Sequence, residues 1–385
     1  MKDLSDQFFP LLRYALWGSP MYPFIERLSH EQYTSLMQVG EEQAVIGMLS
    51  QALIDNNVKL ESDDVFDVVD LTQSIGQMNK IIDEATMTVC RMMKEKDIRI
   101  LVVKGQTLAP MYRYPTLRQC GDVDFLCHSE DLEKAVRFLR DDLAIELNDE
   151  GSNKHAGFMM DDVKYEIHRT LTNFAYPAHQ RYWEDVVMKE VWQNPYTKSI
   201  NNICVPTLPP TYNAIYIFVH IMFHLIVDGV GLRQFCDWAM VLDKDGHRID
   251  KQLLRRHLNG IGLLDAYSGL GAVLTDFLGL PQERFPLEMS DSDHRRAACL
   301  VGNIMKFGNF GHNIEYRSLR GPFHAIEHAV RMGRQGWRFC HYAPKEVLWR
   351  IPYFMGWWGK RVFRSMTPYL ESSKSVFQKA YSNII

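Results

Sequence analysis

The segment Gly121-Asp122-Val123-Asp124-Phe125-Leu126 constrains the fold more than any other part of this chain. On a strand, alternate side chains share a face, so Asp122 and Asp124 point one way while Val123 and Phe125 point into a core. Two carboxylates this close repel each other unless a proton or a cation intervenes. A hard divalent ion such as Mg²⁺ takes oxygen ligands, commonly one or two carboxylates together with substrate phosphates. Asp-x-Asp on an apolar strand is therefore a platform for such an ion, although exposed strand aspartates that hold nothing are common.

Two neighbouring segments add to it. In Val163-Lys164-Tyr165-Glu166-Ile167-His168, alternation sets Lys164, Glu166 and His168 on one face and Val163, Tyr165 and Ile167 on the other. If this strand lies beside the first, Glu166 completes a three-carboxylate cluster. Upstream, Gly105-Gln106-Thr107 separates the apolar run Ile98 to Val103 from a helix expected through Leu108 to Tyr112, with Thr107 as its N-cap and Pro110 in its first turn. A helix N-terminus after a glycine turn suits an anion, and a plain strand-to-helix turn gives the same pattern.

The rest of the chain frames this centre. Residues 1–97 read as helical, with Phe8, Leu11, Leu12, Ala15 and Leu16 at helical spacing, and likewise Ile75, Met78, Ile82, Ala85 and Val89. Ser62-Asp63-Asp64 looks like a helix start. Strands at 98–103, 122–127 and 163–168, with a helix over 131–140, predict a compact α/β unit over 98–205, closed by Pro206, Pro209 and Pro210. Helices are expected at Thr211 to Val227 and Leu232 to Leu242 within a helical region over 206–315. A basic, aromatic region over 316–385 follows.

The combined motifs resemble the nucleotidyltransferase superfamily, with its polymerase-beta-like fold: a Gly-containing turn, Asp-x-Asp on a strand, and a carboxylate on a later strand. More closely, Leu101-Val102-Val103-Lys104-Gly105, Leu117-Arg118-Gln119-Cys120-Gly121-Asp122-Val123-Asp124, Glu166-Ile167-His168, His220 and Leu232-Arg233-Gln234-Phe235-Cys236-Asp237 resemble the uncharacterised nucleotidyltransferase family often met in bacteria. The resemblance covers roughly residues 98–245. It implies an α+β fold, a small mixed-sheet core flanked by N-terminal and C-terminal helical regions. It also implies transfer of a nucleoside monophosphate from a nucleoside triphosphate to a small-molecule, sugar or protein acceptor, helped by Mg²⁺ or Mn²⁺. Asp122, Asp124 and Glu166 would be the catalytic metal ligands, two ions stabilising the attacking and leaving oxygens. Lys104, Gly105, Gln106 and Arg118 would meet the phosphates. The superfamily turn reads Gly-Ser or Gly-Gly; here Gln106 replaces the small residue, so cationic Lys104 and Arg118 are expected to supply the missing contact. A non-catalytic relative that binds a nucleotide or a partner, in surface-polysaccharide or membrane-peripheral assembly, is the alternative.

His168, His220, His224, Arg233 and Asp237 are the expected pocket lining. His220 and His224 stand at i, i+4 on one helix face, continued by Tyr216 and Asp228. That spacing serves a pocket wall, a hydrogen-bonded core network or zinc, although the glutamate that usually follows the first histidine of a zinc helix is here Ile221. Arg233 and Asp237 share the spacing of a simple ion pair. The aromatic, basic stretch Trp349 to Arg361 packs against the helical region, stacks on a base or sugar, or lies on an anionic membrane through 345–364.

Bulk properties fit an ordinary globular chain: 385 residues, 46% hydrophobic and 23% charged. A formal charge of −4 and a pI near 6.4 give no strong nucleic-acid signal. Seven scattered cysteines without a C-x-x-C pair argue against a disulfide framework or a cysteine zinc site. The start of the chain lacks a signal-peptide pattern, and the apolar run Ala214 to Val227 is interrupted by His220 and His224, so the expectation is a cytoplasmic protein without a transmembrane helix.

Overall fold

The computed structural model describes residues 2–21, 23–148, 155–227, 229–309, 330, 333–350 and 352–353. Four helices come first: α1 Lys2–Trp17, α2 His30–Glu42, α3 Ile46–Asp55 and the 34-residue α4 Ser62–Glu95. The sheet follows, interleaved with short helices: β1 Ile100–Val102, α5 Gly105–Leu108, β2 Asp122–Cys127, α6 Leu132–Arg137, β3 His155–Met160, β4 Val163–His168, α7 Pro177–Tyr182, α8 Met188–Gln193, β5 Tyr196–Ile200 and β6 Ile203–Thr207. Five longer helices follow: α9 Pro210–Val227, α10 Leu232–Lys244, α11 Lys251–Gly260, α12 Leu264–Asp276 and α13 Asp291–Phe307. The fold is α+β.

The strands form one mixed sheet in the order β3-β4-β2-β1-β6-β5. β2 runs parallel to β4 and β1 parallel to β6, while the remaining neighbours are antiparallel. Two cores sandwich it. On one side Val123, Phe125, Phe158, Val163, Tyr165 and Ile167 pack against Ile82, Ala85, Val89 and Met93, the apolar stripe of α4. The second core draws α1 to α3, α9 to α13 and the top of α4 into one cluster from Phe8 to Ala343. The sheet face carrying the carboxylates is not covered by α4 and opens toward α9 and α10.

α9 is long and apolar enough to span a bilayer by length and composition, but it is mostly buried inside the protein. Several expectations shift. β1 is shorter than 98–103, whereas the helix expected over 131–140 is present: α6 runs to Arg137 and continues as a wider π-helical turn over Phe138–Asp142. Thr107 is no N-cap: Lys104 holds that position, and the Thr107 hydroxyl donates to its carbonyl within the first turn. Pro206 lies inside β6, so the cut between 205 and 206 falls within a strand. A proline is tolerated there because pairing with β1 is confined to Val102↔Thr207. Asp228 and the stretch from residue 354 onward lie outside the described residues.

Candidate active site

Register builds the site. Parallel pairing sets Asp122 opposite Lys164, Asp124 opposite Glu166 and Leu126 opposite His168. The β3–β4 hairpin sets His155 opposite His168. β1 delivers the other side: after the Val103 amide donates to the Asp124 carbonyl, the chain turns at Lys104 (φ 56°) and Gly105 (φ 41°) into α5. Lys104 is strained there, since a non-glycine residue rarely takes positive φ, and the turn aims its ammonium back at β2.

Asp124 is the hub. Its Oδ2 lies 2.8 Å from Lys104 Nζ and its Oδ1 2.6 Å from His168 Nε2. Burial alone pushes this carboxyl up, but the ammonium and the imidazole outweigh it and hold Asp124 well below the usual carboxylate range. Lys104 is shifted upward in turn: desolvation opposes its charge, and the Asp124 carboxylate overcomes it. Asp122 goes the other way, raised by burial and then by the neighbouring Asp124 charge. Glu166 meets Lys164 Nζ at 2.7 Å, which overrides burial and lowers it. His155 Nε2 stands 3.9 Å from Glu166 Oε2.

The donor set suits a divalent ion. One atom each of Asp124, Glu166 and His168 lies within 4.8 Å of the others. Opposite ligands of a shell with ~2.0–2.3 Å bonds stand roughly 4–4.6 Å apart, so little adjustment is needed. Asp122, which alternation groups with Asp124, stays outside this converging set and stands 3.9 Å from Lys164.

The carboxylates floor a cleft of about 510 Å³, whose far wall is α9 and α10, with His220, His224, Arg233, Gln234 and Asp237, and whose edge includes Lys104, Gly105, Arg118 and Asn309. The His220 and His224 rings lie 4.4 Å apart. Among the described residues, no cluster able to hold a metal includes them.

Three expected residues do other work. Gln106 is buried and turned away from the cleft onto α4, its amide donating to Asp83 Oδ1 at 2.6 Å and to the Asn79 carbonyl. Arg118 is not free to grip phosphate: it is buried and forms two 2.7 Å bonds to Asp237, which also accepts from Tyr112 OH. Asp237 therefore does not pair with Arg233, whose Nη1 donates to the Gln119 carbonyl instead. Sequence reasoning missed His155, Gln234 and Asn309 as cleft residues. Lys164 was visible from strand alternation, and His155 from the Asp161-Asp162 hairpin that folds β3 onto β4. Gln234 and Asn309, joined by a 2.9 Å bond, gave no local signal.

The family model described as uncharacterised nucleotidyltransferase matches residues 29–279, spanning both strands and both wall helices. The chain belongs to this family. Its turn, its Asp-x-Asp strand and its later carboxylate all fall within the match. No curated protein matches. The chain is similar to the crystal structure of an antigenic nucleotidyltransferase-like protein from Paracoccidioides brasiliensis, at 12% identity over 42% of this chain and 75% of that chain, with a TM-score of 0.30.

Proposed function

We propose that this nucleotidyltransferase-family chain transfers a nucleoside monophosphate from a nucleoside triphosphate to a small-molecule, sugar or protein acceptor, with a divalent cation held at Asp124 and Glu166. The observation that carries the reading is the parallel register that puts these two carboxylates side by side on the floor of a cleft walled by histidines. The acceptor hydroxyl forms the new bond to the α-phosphorus, the bond to the β-phosphate oxygen breaks, and pyrophosphate leaves. The bound ion supplies charge neutralisation on the phosphate oxygens. Asp124 stays ionised at any physiological pH because Lys104 and His168 hold it so. Glu166 takes up the acceptor's proton. Lys104 and Lys164, paired with Asp124 and Glu166 at the cleft, supply cationic charge for the triphosphate once a cation takes over those carboxylates, whereas Arg118 stays bonded to Asp237. The cleft is large enough for a nucleotide.

A second reading has one observation behind it. Gln106 replaces the small residue of the superfamily turn and faces α4, so no side-chain hydroxyl reaches the phosphates there. On that reading the cleft binds a nucleotide without turning it over. The experiment is calorimetric titration of the full chain with common nucleoside triphosphates, with and without Mg²⁺ or Mn²⁺, followed by an assay of pyrophosphate release with candidate acceptors. Metal-dependent binding that is lost in Asp124→Asn, with pyrophosphate release, supports transfer. Binding without release against a broad acceptor panel favours the non-catalytic relative. No nucleotide binding under any metal condition sinks both.

A further inference from the structure

We infer that His168 is a direct metal ligand, so that the centre is a two-carboxylate, one-imidazole site that takes a transition-series divalent cation such as Mn²⁺ in preference to Mg²⁺. The inference rests on the proposed metal site and goes beyond it, because an all-carboxylate centre would not make this choice.

Three observations carry it. First, His168 Nε2 faces both carboxylates at once, 2.6 Å from Asp124 Oδ1 and 3.8 Å from Glu166 Oε2. Glu166 and His168 share one face of β4, so a cation that enters between the two acids meets the imidazole as well. Second, the converging donors are Asp124, Glu166 and His168, whereas Asp122, the residue that motif reasoning supplies as a ligand, stands outside that set. Third, His168 is 2% exposed and fixed at the end of a strand by pairing on both sides, to Leu126 and to His155. Its nitrogen therefore cannot swing out to water when a cation enters between the acids.

The chemistry then sets the ion. Imidazole suits transition metals, whereas Mg²⁺ demands oxygen ligands in a near-ideal octahedron and keeps its waters. Lys104 gives up its ion pair with Asp124 on loading, and its ammonium is left beside the cleft.

The test uses the full chain and metal alone. Mn²⁺ is titrated by electron paramagnetic resonance, Mg²⁺ by competition, and the bound Mn²⁺ is examined by pulsed resonance for coupling to a directly bonded ¹⁴N. The expected result is Mn²⁺ affinity at least ~10-fold above that of Mg²⁺, with a ¹⁴N coupling. His168→Gln should lose the coupling and narrow the preference, while His155→Gln should keep both. The wild-type spectrum stands even if His168→Gln folds poorly. Equal affinity for the two ions with no ¹⁴N coupling overturns the ligand assignment and leaves His168 orienting Asp124, with the transferase reading intact. A ¹⁴N coupling that survives His168→Gln overturns it equally. If neither ion binds, this inference fails, and the transferase reading is then decided by its own nucleotide titration.

Discussion

Arg118 meets Asp237 through two parallel 2.7 Å bonds in the interior, joining the loop before β2 to the wall helix α10. A buried pair contributes little net stability compared with a well-packed apolar replacement, but losing one member leaves the other charged and unsolvated. Arg118→Ala should therefore lower unfolding stability by ~3–5 kcal/mol, read as a urea midpoint shift at unchanged m-value. Arg118→Met combined with Asp237→Leu should recover most of that. A wild-type midpoint for Arg118→Ala would mean the pair does not form. The residue types were legible, and the partner was not. A fork-shaped cation one loop from Asp-x-Asp reads as a phosphate grip, and spacing in α10 suggests Arg233 for Asp237. The actual partner is 119 residues away and no local pattern announces it. His257 gives a second prediction at this scale. It is buried, bonded to Glu190 at 3.0 Å, and burial lowers its pKa despite that carboxylate. Below about 6.5 the unfolded chain takes up a proton that the folded chain refuses, so ν_U exceeds ν_N and stability falls as pH drops through the folded value. Urea midpoints measured from pH 8 to 5 should show this fall from about 6.5 downward, and His257→Gln should flatten it. An identical slope in the variant would remove His257 from the account.

At the scale of elements, β2 and β4 were readable to the residue because each has one apolar face on a core and one polar face on the cleft. The strands β3, β5 and β6 were not read. β3 contains Gly157 and an exposed Met159, and β6 contains Pro206, features that weaken a strand pattern. What marks them is turn chemistry. Asp161-Asp162 and Asn201-Asn202 both take positive φ, as a two-residue hairpin with the right twist requires, and Asp and Asn tolerate that region best after glycine. The first hairpin places His155 on the site. Asp162→Val, which puts a branched side chain at φ 61°, should cost ~1–2 kcal/mol. Asp162→Gly should be neutral or slightly stabilising. Thermal melts of the two variants check the contrast, and equal midpoints would show that the turn does not set the register.

The molecule as a whole is tied together by helices that the motif reading treated as flanking. α4 contributes Val68 to one core and Ile82, Ala85, Val89 and Met93 to the other, so the sheet cannot be ordered apart from it. α1 precedes the family match at residue 29, yet Phe8, Leu11 and Leu12 are fully buried in the larger core. Its far end is bound to the close of α12: the Arg13 guanidinium donates to the carbonyls of Phe277 and Asp276, and the Trp17 indole to that of Leu278. Helical periodicity located these apolar residues, but periodicity names a face and not the surface that face meets. The packing partner lies over 260 positions away. The matched region should therefore not be separable from α1. Leu12→Ala should cost ~2–5 kcal/mol through lost transfer and the cavity it leaves, even though Leu12 lies outside the matched residues. Because one core links α1 with α9 and α10, the loss should reach the cleft as part of the same transition. Far-UV dichroism and nucleotide or metal release, followed in parallel through urea, should shift together to a lower midpoint. If α1 melted early while the cleft kept its wild-type midpoint, the N-terminal helices would be an independent unit, and the site would rest on the sheet and its wall helices alone.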